Sequence, residues 1–285
     1  MLNQDVVSKL QKEGIIKQGV IQIKELKGGT VSKLFLLHLD DQSKLVVKFN
    51  EPLIVQSEAE FLSNYKDIEF LPKILYVEDS YEYLVYSYLD GSTNYLKKNK
   101  AETLKSIVQL LINKYKPVDY ASGWGWMDAP SETWEEFLIQ NIKEAEEVIY
   151  PTLGKEDYFL VNKLVGSTFP EIESPFLLHG DCGVHNFIFF EEKICGVIDP
   201  LPVWGNPVYD LIYAFCSSPD DLTMETIYEA AKYVTVESVK RLNEQVLIGL
   251  YLRIASCIKH HPDDLPEYLK AWDYWKDIVK IELEV

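Results

Sequence analysis

No apolar run in this sequence approaches the roughly 18–20 residues that a helix needs to cross a bilayer, which argues against a helical membrane protein. The opening MLNQDVVSKLQKEG is polar and amphipathic and lacks the apolar core of a secretory signal, so a cytoplasmic protein is expected. Cysteine is sparse and scattered: Cys182, Cys195, Cys216 and Cys257 form no CxxC pair. No second ligand pair at zinc spacing accompanies Cys182 and His185, so neither a disulfide framework nor a zinc module is expected. Positive charge is also short. Against 45 Asp and Glu stand 28 Lys and Arg, a formal net charge of −17. Such a surface repels phosphate backbones and anionic lipid, which excludes nucleic acid and membranes as expected partners, whereas a cationic small molecule would be drawn to it. Internal repeats and low-complexity tracts are missing as well.

What is present is 285 residues with 47% hydrophobic content, enough for a large core in one enzyme of two parts. The most informative stretch is 178–211, LHGDCGVHNFIFFEEKICGVIDPLPVWGNPVYDL. His179, Gly180 and Asp181 precede Asn186, which lies five residues past the Asp. Two β-favouring runs, 187–190 and 194–198, flank Glu191, Glu192 and Lys193 and read as a hairpin. A hairpin brings its ends together, so Asn186 and Asp199 should share one edge. Two oxygen ligands there, with phosphates and water completing the shell, suit Mg²⁺. Asp181, in the loop ahead of the hairpin, is free to accept a proton from an incoming hydroxyl. Each residue alone reads as a turn former; the ordered set points to phosphoryl transfer.

The N-terminal third has the makings of a nucleotide site. Residues 20–26 and 31–40 alternate like paired strands around Lys27, Gly28, Gly29 and Thr30, a turn whose backbone amides could approach a phosphate. The strand 44–49, KLVVKF, places Lys48 within an apolar run, where burial is costly unless a carboxylate and phosphates pair with it. The next helix offers Glu58, with Glu60 in reserve. Residues 81–89 form a β-type segment that breaks at Asp90-Gly91-Ser92, and backbone groups of Tyr86, Ser87 and Tyr88 are candidates for holding a base edge.

Taken together these residues resemble the aminoglycoside phosphotransferase and choline kinase-like small-molecule kinases. The resemblance rests on the HGD…N loop (His179–Asn186), the Ile198-Asp199 strand end and the segment from Gly205 to Leu211. It implies an α+β, bilobal, protein-kinase-like fold, with a small β-rich nucleotide lobe at 1–88 and a larger, mostly helical lobe at 89–285 for catalysis and the acceptor. It also implies Asp181 as base, Asn186 and Asp199 as Mg²⁺ ligands, Lys48 and Glu58 as the nucleotide ion pair, ATP or GTP as donor, and His179 and Asp210 as supports. The family's Glu with Leu four residues later selects Glu58 with Leu62. One departure is Asn206, where the family usually has Asp.

Helical spacing marks 101–114, a helix from a capping box at Thr133 to about Tyr150, and closing helices at 246–258 and 265–279. Ahead of Thr133, the loop carrying Trp124, Trp126 and Asp128 is similar to the segment that hygromycin-type kinases place before a substrate subdomain. Those residues and Trp204 are the acceptor candidates, with packing of helices as the alternative use of the aromatics. Asp263, Asp264 and Asp273 could line the same cleft. The expected function is an ATP-dependent phosphotransferase acting on a small-molecule hydroxyl, an aminosugar among the candidates. Alternatives are a metabolic kinase for choline, ethanolamine, homoserine, methylthioribose or a fructosamine, and a nucleotide-binding regulator without turnover. Whether the protein is a monomer or a homodimer is left open.

Overall fold

The structure, a computed structural model, describes residues 2–17, 19–26, 32–119, 123–168, 174–235 and 241–283. The expected phosphate turn at Gly28, Gly29 and Thr30 lies outside the described residues.

The N-terminal part is built from α1 (Gln4–Lys12), β1 (Val20–Leu26), β2 (Lys33–Leu39), β3 (Lys44–Phe49), α2 (Pro52–Asn64), β4 (Ile74–Val77) and β5 (Tyr83–Ser87). The strands pair antiparallel in the order β1-β2-β3-β5-β4, so β3 lies at the centre. Side chains alternate between the two faces of a strand, and here both faces are covered. Phe35, Leu37, Leu45, Val47 and Val85 pack with Leu10 and Ile16 on the α1 side. Leu36, Val46, Leu84 and Tyr86 join Val55, Phe61 and Leu62 of α2 in the main core. Lys48 follows Val46 by two residues and therefore shares the α2 side. A strand covered on both faces reads as an unbroken apolar run, which is why its one lysine is informative.

The C-terminal part is mainly helical. It comprises α3 (Lys100–Leu110), β6 (Trp124–Trp126), β7 (Ala129–Ser131), α4 (Trp134–Ile149), α5 (Lys155–Thr168), β8 (Phe176–Leu178), β9 (Phe187–Phe190), β10 (Lys193–Val197), β11 (Val203–Gly205), α6 (Val208–Cys216), α7 (Met224–Ala231), α8 (Leu242–His260) and α9 (Leu265–Leu283). Thr133 caps α4 by accepting from Glu136 N at 3.0 Å. The returning Glu136 carboxylate accepts from Glu132 N at 3.1 Å, one residue before the cap. Helices α8 and α9 close the core through Tyr251, Tyr268, Trp272 and Trp275, and Trp275 Nε1 donates to Leu222 O at 2.9 Å. Among the described residues no helix is long and apolar enough to cross a membrane.

The sequence reading of 122–128 as a loop is corrected: Trp124–Trp126 is a strand of a small sheet ordered β7-β6-β11-β8. Its strands have three residues each, too few for an alternating pattern to declare itself. Gly125 at φ +86° allows the Phe137 ring to sit directly over the backbone; a Cβ there would meet that ring at 2.3 Å.

The expected hairpin is formed by β9 and β10, with Lys193 opposite Phe190 and Ile194 opposite Phe189. Its two turn residues, Glu191 and Glu192, have φ of 49° and 63°. A two-residue turn with both φ positive suits the twist of a hairpin and normally selects Asn-Gly. Two glutamates there carry the left-handed penalty of residues with a Cβ. Glu192→Gly is expected to stabilise the fold by about 1 kcal/mol. Urea unfolding checks this, and a lower midpoint in the variant would show that the turn is not strained.

Candidate active site

The alternation of β3 and the helical phase of α2 bring Lys48 and Glu58 together. Nζ of Lys48 donates to Glu58 Oε2 at 2.6 Å, and both side chains are 1% exposed. The same ammonium also contacts Asp199 Oδ1, whose side chain is 41% exposed. Burial would lower the Lys48 pKa, but the charges of Glu58 and Asp199 outweigh it and raise it above the ordinary lysine value. Burial pushes the Glu58 carboxyl up, while the Lys48 ammonium pulls it down. With a charge-assisted bond this short, the pair stands as ammonium and carboxylate. Glu60, the reserve candidate, makes no ion pair among the described residues.

The loop from His179 to Asn186 is held by α6. Asp210, fully buried, accepts at Oδ1 from Gly180 N at 3.0 Å and at Oδ2 from His179 N at 2.9 Å. Tyr115 Oη donates to the same Oδ2 at 2.6 Å. One turn further along α6, Tyr213 Oη donates to Asp181 Oδ1 at 2.6 Å. Just past the helix end, Ser217 Oγ accepts from Val184 N at 3.0 Å. Spacings of three and four residues put these three groups on one helix face. Gly180 has φ +80°, and a Cβ there would stand 1.9 Å from Leu201 O, so this position admits only glycine.

Asp181 presents an organised carboxylate. Its Oδ2 accepts from Asn186 Nδ2 at 2.9 Å and faces His185 Nε2 at 3.1 Å. Burial alone would raise its pKa, but the interactions with His185 and Tyr213 prevail and hold it below the usual carboxylate value. A carboxylate kept ionised beside solvent can accept a proton. His179 behaves differently. Burial pushes its pKa down to about 4, so the ring is neutral and Nε2–H donates to Ile198 O at 3.0 Å. Its ring also stacks edge-on with Phe61 of α2, centroids 5.7 Å apart.

The hairpin brings Asn186 and Asp199 to one edge, where Ile198 N donates to Asn186 O at 3.0 Å. Nδ2 of Asn186 is spent on Asp181 O and Oδ2, both at 2.9 Å, which leaves its Oδ1 as the acceptor end. Asp199 takes φ 60°, a conformation that Asp tolerates better than most residues. One amide oxygen and one carboxylate fit Mg²⁺, which completes its shell with phosphate and water. Among the described residues no group of three or more His, Cys, Asp or Glu could hold a metal.

At the end of β5 the backbone donors are mostly committed. Ser87 N donates to Lys73 O at 2.9 Å and Tyr88 N to Lys44 O at 3.1 Å, whereas Leu89 N has no partner among the described residues. Tyr86 is buried on the Lys48 side of the sheet. Trp124 packs on Trp134 with centroids 6.3 Å apart and Trp126 edge-on to Phe137 at 5.7 Å; both are partly buried against the core. Trp204 is 6% exposed within β11, and Asp128 is exposed at the β6–β7 turn. Asn206 helps to start α6, its Oδ1 accepting from Val208 N at 3.0 Å. Sequence reasoning missed Tyr213, Ser217 and Tyr115; the only available signal was the polar stripe 210, 213, 217 on an otherwise apolar helix.

This geometry has relatives. The model of the phosphotransferase enzyme family known as APH matches residues 22–232, and the chain belongs to that family. No curated protein matches the sequence significantly. Among solved structures, the streptomycin–ATP–APH(2")-IIa ternary complex is similar over 94% of this chain and 96% of its own, with 18% identity and a TM-score of 0.63. A fructosamine-3-kinase-like protein from Thermobifida fusca aligns over 95% and 99%, with 16% identity and a TM-score of 0.62. Aminoglycoside phosphotransferase APH(4)-Ia, in a complex with ADP and hygromycin B, aligns over 94% and 96%, with 15% identity and a TM-score of 0.60. At such identities the structural likeness concerns the fold. It shows a sheet-rich N-terminal part and a helical C-terminal part in the protein-kinase-like arrangement.

His179 and Asp210 make opposite contributions to acid stability. Folding lowers the His179 pKa from 6.5 to about 4, so the unfolded chain binds the extra proton and His179's contribution is lost as pH falls through that window. Burial raises Asp210 from 3.8 to about 6 against its three hydrogen bonds, so the folded state binds that proton and its contribution grows as pH falls. The two slopes nearly cancel. Asp210→Asn removes one of them, and its stability is expected to fall more steeply than that of the wild type between pH 6 and about 4, by roughly 1.4 kcal/mol per pH unit. Urea unfolding across that range checks the difference; parallel slopes would mean that Asp210 stays ionised throughout.

Proposed function

We propose that this protein is an ATP-dependent phosphotransferase that moves the γ-phosphate to a hydroxyl of a small molecule. The observation that carries the reading is the convergence of Lys48, Glu58 and Asp199 in one ion-paired cluster, with Asn186 tied to both the Asp199 strand end and Asp181. Residues 1–88 form the nucleotide lobe and 89–285 the catalytic and acceptor lobe. Lys48, oriented by Glu58, neutralises the α/β phosphates. The base edge of ATP lies against 86–89, where Leu89 N–H has no partner among the described residues; the reading extends to GTP, because these are backbone groups. The turn at Gly28, Gly29 and Thr30 is assigned to the phosphates from its sequence alone. Bound Mg²⁺, held by Asn186 and Asp199, supplies charge stabilisation on the phosphates. The four free cysteines support a reducing, cytoplasmic setting.

In the proposed reaction the acceptor hydroxyl hydrogen-bonds to Asp181. Its proton passes to the carboxylate while its oxygen forms the new bond to phosphorus. The bond from that phosphorus to the bridging oxygen breaks in line, and ADP leaves with the electron pair. Asn186 and Tyr213 fix the Asp181 carboxylate, so positioning is largely complete before the substrate arrives. The named neighbours include proteins bound to aminoglycosides and one fructosamine-3-kinase-like protein, so both an aminosugar and a metabolite are represented among them.

Asp181→Asn is expected to lower turnover at least ~10²-fold while sparing Mg·ATP binding, whereas Asp199→Ala loses Mg·ATP affinity as well. Calorimetric titration with an ADP-release assay separates the two; near-normal turnover of Asp181→Asn would remove it as the base. Tyr213→Phe deletes a hydrogen bond that holds the Asp181 pKa down. Its acidic limb of kcat/KM should therefore move to higher pH, and an unmoved limb would show that another group governs it.

A further inference from the structure

Between α4, α6 and α8 lies a cavity of about 100 Å³. Leu138, Ile212 and Tyr213 give it an apolar and aromatic wall, and Gln245, Ser256 and Arg253 contribute polar groups. Tyr213 joins it to the reaction centre, because the ring lines the cavity and its hydroxyl donates to Asp181. No lining residue is acidic. Asp263, Asp264 and Asp273, which the sequence left as cleft candidates, are not among them.

Arg253 stands out on charge. It is one of two arginines in a chain with 45 acidic residues, yet among the described residues it forms no ion pair. Its Nε donates to Tyr268 Oη at 3.0 Å and its guanidinium lies 5.4 Å from the centre of the Tyr268 ring. These contacts orient the fork, and among the described residues neither Nη has a hydrogen-bond partner. A half-buried guanidinium without a counter-ion has lost part of its hydration for no ionic return. Its planar fork matches a carboxylate.

We propose that this cavity is the acceptor pocket and that the acceptor is a hydroxy acid with a short apolar body, its hydroxyl at Asp181 and its carboxylate on Arg253. The inference rests on the phosphotransferase reading above. The cavity volume is on the scale of a benzene-sized fragment, roughly six heavy atoms, which suits a short chain better than an aminosugar ring with its substituents. A polycationic acceptor would set ammonium groups beside Arg253 with no carboxylate in the wall to receive them. Contact-range charges in a partly desolvated pocket are screened far less than the distant surface field, so Arg253 outweighs the net charge of −17.

The test uses matched probes: straight-chain ω-hydroxy acids of graded length, the alkanols and ω-amino alcohols of equal length, and hygromycin B. Binding of Mg·ATP, measured first by calorimetry, tests the kinase reading separately; its absence would overturn that reading and this one with it. With Mg·ATP bound, acceptor-dependent ADP release is measured. A hydroxy acid of fitting length should exceed its alkanol and amino alcohol counterparts by about tenfold or more in kcat/KM. Arg253→Met should erase that preference and Arg253→Lys should keep part of it, Mg·ATP affinity serving as the check that each variant is folded. No turnover of any hydroxy acid, a preference for amino alcohols or hygromycin B, or an unchanged preference in Arg253→Met would each overturn the proposal while leaving the kinase reading intact.

Discussion

The buried ammonium of Lys48 constrains the rest of the site. A charged group at 1% exposure in the central strand of a sheet must have counter-charge, and the fold supplies it from two distant places in the chain. Glu58 comes from the helix packed on that face of the sheet, ten residues away. Asp199 comes from the end of the hairpin, 151 residues away. One cation thus ties the N-terminal sheet, α2 and the C-terminal hairpin to a single point. Removal of either carboxylate leaves charge unbalanced in the interior, which is a larger perturbation than the loss of a surface ion pair. The same arrangement suits the proposed chemistry, because a lysine held by carboxylates is also aimed.

A second centre of order is α6. Asp210 accepts from two backbone N–H groups of the loop, and these fix the direction in which Asp181 leaves it. Tyr213 then holds the Asp181 carboxylate itself. The helix does not need a charged group to reach the substrate; it needs rigid packing, which Leu211, Phe215 and the α8 helix provide. Burial of the Asp210 carboxylate is tolerated because Tyr115 and two backbone N–H groups of the loop donate to it.

Much of this was legible in the sequence, for identifiable reasons. A lysine inside KLVVKF declares itself because its surroundings are apolar, and the structure gives β3 the bounds read from the sequence. The hairpin declares itself because two aromatic and aliphatic runs flank three charged residues. Glu58 was legible only through the family pattern, since spacing alone could not choose between it and Glu60. Less was legible where strands are short. Trp124–Trp126 looked like a loop because three residues show no period, and sequence cannot say which aromatic partners, here Trp134 and Phe137, its tryptophans will meet. Tyr213 was invisible for a different reason. A tyrosine among VYDLIYAFC reads as core, and only the fold brings its hydroxyl to Asp181.

The same limit applies to charge. Composition gives a net −17, and on that ground a cationic acceptor is attractive. Composition averages over a surface, however, whereas recognition happens over a few ångströms. In the cavity that Tyr213 lines the wall is mainly aliphatic and aromatic, and its one charged side chain is an arginine. The acidic excess lies elsewhere, on exposed helix faces such as Glu135, Glu144 and Glu147 of α4 and Asp273 and Asp277 of α9, where its effect on a bound ligand falls off within a Debye length. Long-range attraction governs how often a molecule arrives. What stays long enough to react is decided by the groups that touch it, which is why the proposal rests on Arg253 in the cavity wall rather than on the net charge.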